Sequence, residues 1–193
     1  MRVNETREEI VRIGAEIIGQ GGFNATGIDA VLKKARVPKG SFYYYFESKD
    51  DFGLAVIERQ AGEFSAVLKG FLEDRQYPPL TRVRRYLESR IDAIQNSRCR
   101  RGCLIGNLGQ ELASQSEKFR RRIQDVFSTW QGLFQACFEE AKREGALAPD
   151  TDCRLLADFL LTGWEGAVLR AKVMKSGQPL HDFASVFFGK VAR

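Results

Sequence analysis

Between prolines at 38, 78, 79, 149 and 179, the chain repeats apolar residues every three or four positions and nowhere sustains the alternation of a half-buried strand. Proline interrupts the backbone so seldom that long helices can form, and the pattern predicts an all-α fold. A first helix is expected from Thr6, capped together with Glu9, with Ile10, Ile13 and Ile17 as its apolar stripe and a stop at Gly21-Gly22. Thr26 is expected to cap a short second helix carrying Ile28, Val31 and Leu32, and Arg36-Val37-Pro38 turns the chain into a third. Ser48 is expected to cap a long helix through Phe52, Val56, Phe64, Leu68 and Phe71, broken at Tyr77-Pro78-Pro79. Further helices are expected at about 79 to 96, 103 to 113, 116 to 144, 152 to 175 and 180 to 192. The chain then divides into a small three-helix domain, residues 1–47, joined by the long helix to a larger helical domain, residues 48–193.

Of the 193 residues 44% are apolar, enough for a real core and too many for a disordered tail. No apolar run approaches the roughly 18 residues that a membrane helix needs. The charged first sixteen residues lack the apolar stretch of a secretory signal, so the expected compartment is the cytoplasm and the expected state of Cys99, Cys103, Cys137 and Cys153 is the free thiol.

The net charge of +5 is modest, but it is clustered. Residues 33 to 49 hold Lys33, Lys34, Arg36, Lys39 and Lys49 against Glu47 alone. Residues 97 to 122 hold seven basic side chains against Glu111 and Glu117. Such blocks are often only solvated faces, so their surroundings decide. Around the first block, a short helix, a tight turn and a second short helix have helix-turn-helix spacing. Phe42 and Phe46, four apart, bury together and leave Ser41, Tyr43, Tyr44 and Tyr45 toward solvent. A phenol offers a flat ring to pack on sugar and a hydroxyl to reach phosphate or a base edge. Lys39 and Gly40 fall in the first turn, where backbone amides and dipole attract phosphate and a missing side chain admits close approach. Ser41 and Tyr45 would share the groove-facing edge, and Lys49 would hold a neighbouring phosphate. The alternative, an aromatic packing seam, gains nothing from the Lys-Gly-Ser entrance.

Gly22-Phe23, Thr26 and the run Lys39-Gly40-Ser41-Phe42-Tyr43-Tyr44-Tyr45-Phe46 resemble the TetR family of transcriptional regulators. The resemblance implies a homodimer that places its third helix in the major groove of a palindromic, double-stranded operator, with Gly27, Ile28, Lys39, Gly40, Ser41, Tyr43, Tyr44, Tyr45 and Lys49 on DNA. Tyr45 stands where the family often has His. Residues 100 to 111 and 162 to 172 are similar to a branch of the family that answers to acrylate and to electrophiles, which implies repression released by a small molecule with Cys103 as the candidate sensor.

Cys103 follows two arginines at a predicted helix start, where positive potential favours thiolate; a small buried hydrophobe is the competing reading. Trp130, Phe134 and Trp164 are candidate pocket walls, Asn107 a candidate polar contact, and Arg170 or Arg98 a candidate carboxylate partner, although each aromatic alone is equally a core residue. Apolar residues on the last two helices exceed one inward stripe and suggest a two-fold homodimer interface. An enzyme is not expected: His181 is the only histidine, and neither G-x-S-x-G nor a P-loop occurs. Cys99 and Cys103 lack the partners of a zinc site, and no cofactor or metal is expected.

Overall fold

The computed structural model describes residues 3–192, and the helices there account for the whole regular structure. They are α1 (Val3–Gly21), α2 (Ile28–Ala35), α3 (Phe42–Tyr45), α4 (Lys49–Leu72), α5 (Pro79–Asn96), α6 (Leu104–Leu112), α7 (Glu117–Arg143), α8 (Cys153–Met174) and α9 (Gln178–Val186). A 3-10 turn, Lys39–Ser41, leads into α3, and a π turn, Phe187–Val191, follows α9. The all-α expectation holds.

Two compact units can be distinguished. The first contains residues 1–63 and 104–124, and the second contains 64–103 and 125–193, so α4 and α7 each belong to both. In the first unit, Ile10, Val11, Ile13 and Ile18 of α1 are buried with Val31, Leu32, Phe42, Phe46 and Phe52. A Cβ on Gly14 would stand 2.2 Å from the Phe52 ring, so glycine sets how closely α1 meets α4. The second unit buries Tyr86, Trp130, Phe134, Phe138, Leu160, Trp164 and Phe187. There the Arg82 side chain is 4% exposed and reaches Glu140 at 3.0 Å, and its Nε donates to the Tyr77 carbonyl at 2.6 Å.

Ser48 caps α4 as expected: its Oγ accepts from the Asp51 N–H at 3.1 Å, while the Asp51 carboxylate accepts from the Glu47 N–H at 3.1 Å. Thr6 instead lies inside α1, and Glu9 pairs with Arg12. The α1 stripe is rotated to include Ile18, with Ile17 half-buried. Thr26 does not cap α2; Gly27 holds that position without a side-chain bond, and the Thr26 hydroxyl donates back to the Gly22 carbonyl at 2.6 Å. The long helix ends at Leu72, before the prolines, because the Arg82 Nη1 donates to the Leu72 carbonyl at 3.3 Å and closes that end. The last helix starts at Gln178 and gives way to the π turn after Val186.

Candidate nucleic-acid interface

Arg36 ends α2 in the left-handed region, φ 57°, and the Val37 N–H donates to the Leu32 carbonyl at 3.0 Å. This Schellman-type stop works without glycine and delivers Pro38 into the 3-10 turn. The Ser41 N–H donates to the Pro38 carbonyl at 2.9 Å, and the Phe42 N–H to that of Lys39. The expected α-helix start at Lys39 is a 3-10 turn instead: the Ser41 and Phe42 amides are used within it, and the four residues of α3 carry little macrodipole.

Side chains carry the surface instead. Phe42 and Phe46 are buried, 5.3 Å apart between centroids, and both meet Phe52. With that face anchored, Tyr43 and Tyr44 stand outward at 75% and 71% exposure. Tyr45 is half-buried edge-on to Tyr44, and Ser41 is half-buried beside them. Gly27 and Gly40 are exposed and Ile28 half-buried. The Lys39 ammonium sits 2.8 Å from Asp29, whose carboxylate raises its pKa and keeps it charged. Lys49 donates to the Asn24 carbonyl at 3.2 Å and lies 4.8 Å over the Phe23 ring, so its head is fixed at the α1–α2 turn.

That turn is gripped from α6. The Glu111 carboxylate accepts from the Phe23 N–H at 2.9 Å and from the Asn24 N–H at 2.7 Å. Gly22, φ 86°, has room for no side chain there, since a Cβ would lie 3.0 Å from Glu111. Phe23 meets Phe119 of α7 edge-on at 5.2 Å. Sequence reading counted Glu111 only as a charge; its spacing of 88 residues from Phe23 leaves no local signal. The second basic block is neutralised at its C-terminal end: Arg120 and Arg121 pair with Glu117, whose pKa they lower to about 2, and Arg122 pairs with Glu58.

In the second unit, Trp130 stacks at 4.2 Å on Phe64 and its indole N–H donates to Ser65 Oγ at 3.0 Å, while Tyr86 packs edge-on to Phe64, Phe71 and Phe134. Burial raises the Tyr86 phenol, and Arg90, Cys103 and Glu165 all act on it electrostatically. Burial also raises the Glu165 carboxyl, opposed by the hydrogen bond that it receives from the Cys103 thiol. Cys103 is half-buried and Trp164 buried. Asn107 is half-buried on α6, in the first unit. Arg170 is exposed, donating to Met174 Sδ at 3.8 Å, whereas Arg90 lies 5.9 Å from the Phe64 ring centre and Arg85 5.9 Å from that of Phe71, both rings edge-on to Tyr86. Tyr86, and the Arg90 and Glu165 charges that act on its phenol, were not singled out from the sequence. His181 lies on the surface with Nε2 3.3 Å from the Gln95 amide nitrogen.

Leu155, Phe159, Thr162, Gly166, Leu169 and Val173 of α8 are all exposed at alternating spacings of four and three, an a/d seam with small residues at its middle. Among the described residues there is no cluster of three metal-ligating side chains and no helix long and apolar enough to cross a membrane.

Two comparisons of families bear on this arrangement. Residues 10–56 match the bacterial regulatory proteins of the tetR family, and residues 79–187, more than half of the chain, match the tetracyclin repressor-like C-terminal domain. The chain belongs to the TetR family. As a TetR-family protein it is a helix-turn-helix, DNA-binding transcriptional regulator and not an enzyme, of a family whose repressors bind operator DNA as homodimers through C-terminal helices. It is 41% identical to the transcriptional regulator AcuR of Cereibacter sphaeroides over 93% of this chain and 82% of that protein. It is 30% identical to the transcriptional repressor NemR of Escherichia coli K12, over 93% and 90% of the two chains. The crystal structure of a regulatory protein TetR from Rhodobacter sphaeroides superposes with a TM-score of 0.88 at 41% identity, covering 93% of this chain and 95% of that one.

Proposed function

We propose that this TetR-family regulator represses transcription by holding a palindromic operator as a homodimer, and that a small acid or electrophile bound in its second unit releases it. Residues 1–47 read DNA, and residues 48–193 receive the effector and dimerise. The observation that carries the DNA-binding part is the outward stance of Tyr43 and Tyr44 over a buried Phe42-Phe46-Phe52 anchor: each ring touches a neighbour by one edge and leaves 75% and 71% of its residue exposed. Gly27, Ile28, Lys39, Gly40, Ser41, Tyr45 and Lys49 complete the contact set, with Lys39 exchanging Asp29 for phosphate.

The effector is received among Trp130, Phe134 and Trp164, with Cys103 and Glu165 as its polar end. Arg90 takes the carboxylate, in preference to the exposed Arg170. What supports this is that Tyr86, packed edge-on to Phe64 and Phe134, feels Arg90, Cys103 and Glu165, and that Glu165 accepts from the Cys103 thiol. Cys103 immediately precedes α6 in the chain, and α6 carries Glu111, which grips the backbone at Phe23 and Asn24. An effector that shifts the start of α6 therefore alters the seat of the reading head. It acts only through its differential affinity for the two arrangements, and a coupling of about 1–3 kcal/mol weakens operator binding about 5- to 150-fold. Dimerisation runs along the α8 seam and places the two reading heads about 34–36 Å apart, one turn of DNA.

The test is a mobility-shift assay on DNA flanking the protein's own gene, repeated with a panel of small acids and electrophiles including acrylate. A shift relieved by a panel member supports the reading, and failure to bind that DNA or any palindrome selected from a random pool overturns it. A covalent variant of this switch at Cys103 rests on the two arginines that precede it in the chain. If Cys103→Ser is released by an electrophile at the same concentration as the parent, the effector is held without a bond to sulfur.

A further inference from the structure

A cleft of about 490 Å³ opens in the second unit, lined by Gln95, Arg98, Cys99, Arg100, Lys175 and Gly177. Its two walls are the loop that follows α5 and the turn between α8 and α9. Three cations face it, none of which forms an ion pair among the described residues, although arginines at 12, 59, 75, 82, 85, 120, 121, 122 and 154 all do. No carboxylate lines it.

The backbone gives a second, independent mark. The described residues include four non-glycine positions with positive φ, and three of them line this cleft: Arg98 at 55°, Cys99 at 52° and Lys175 at 52°. Side chains resist that conformation, so it persists where the surrounding fold imposes it, and Cys99, 3% exposed, is the buried pin of the loop. The opposite wall is set by contact: a Cβ on Gly177 would come within 2.3 Å of the Gln95 amide. A cation just beyond a helix C-terminus complements the helix dipole, which accounts for one positive charge after α5 and one after α8. It does not account for a second arginine in the same loop or for an open cleft between the two ends.

We propose that this cleft is a second ligand site, for a small molecule bearing a phosphate group. Two guanidinium forks and one ammonium match a group with several oxygens and about two negative charges, and the arginine plane suits bidentate contact with it. The volume exceeds that of a bare phosphate and leaves room for a polar remainder against Gln95. Arg98, read from the sequence as a candidate carboxylate partner of the effector, lines this cleft instead, and none of the cleft's residues is in the effector set proposed above.

Calorimetric titration of the full-length protein with inorganic pyrophosphate at fixed ionic strength, and in parallel with citrate, tests it. Saturable binding of pyrophosphate is expected, weakened about tenfold or more in Arg98→Asn with Lys175→Asn, because asparagine tolerates the left-handed backbone while removing both charges. Arg36→Asn, which removes a charge from the other left-handed helix end, is the control and keeps parental affinity. Arg100→Gln, at a position without that backbone constraint, decides the matter should the double variant not fold, and it too is expected to weaken binding. The proposal is overturned by absence of saturable binding, by tighter binding of citrate than of pyrophosphate, by an equal loss in Arg36→Asn, or by undiminished binding in the cleft variants.

Discussion

At the level of single side chains, Tyr44 separates binding from folding. Its ring touches solvent and Tyr45 and supports no core residue, so Tyr44→Ala is expected to leave the thermal midpoint unchanged while two copies in a dimer together lose about 2–6 kcal/mol of operator affinity. Mobility shift alongside a melting curve checks both, and full-affinity binding by the variant would remove the recognition assignment. Glu140 is the opposite kind of residue. The Arg82 guanidinium beside it holds its carboxyl below the usual carboxylate range, so its contribution to stability is complete above pH about 4.5 and fades as the pH falls through the lowered value. Glu140→Gln strands the buried Arg82 charge and is expected to cost about 3 kcal/mol at neutral pH. Denaturant unfolding should also show a flatter acid limb for the variant than for the parent. Tyr43, Tyr44, Phe42 and Phe46 were legible in sequence because their roles depend on neighbours four residues away or fewer. Arg82–Glu140 was not, because 58 residues separate the partners and each reads alone as an ordinary surface charge.

Among the helices, α6 carries the functional link, and Glu111 is where it can be cut. Glu111→Ala leaves two backbone N–H groups without their acceptor and is expected to cost about 1–3 kcal/mol of stability. Operator binding should persist more weakly, and effector should release the variant by a smaller factor than the parent; equal release factors in shift assays would show that the signal takes another path. Helix positions followed from apolar spacing and proline, as at Pro79 starting α5, because burial repeats every turn. Helix ends were less legible. Gly27 and Arg36 bound α2 without the side-chain caps or glycine that sequence rules look for, and the end of α4 at Leu72 is imposed by an arginine ten residues on. The short turn into α3 was likewise hidden, since Lys-Gly-Ser suits a helix start and a 3-10 turn alike.

For the molecule as a dimer, the exposed seam on α8 makes the strongest demand. Leu169→Glu combined with Val173→Glu places charge at two of its apolar positions, and sedimentation is expected to show monomers that retain parental helicity. Such monomers can read only half a palindrome, so their operator affinity should fall steeply; a dimer that survives both changes would relocate the interface. Surplus apolar surface was visible in the sequence, but which residues it comprised depended on the rotation of α8 against its own core, a quantity that only tertiary packing defines. The main-chain character of the Glu111 grip has a consequence over evolutionary time. Because the carboxylate holds peptide groups and ignores the side chains of Phe23 and Asn24, the surface that chooses among operators can be rewritten by mutation while the lever that works it stays the same, leaving target choice and chemical signal free to diverge separately.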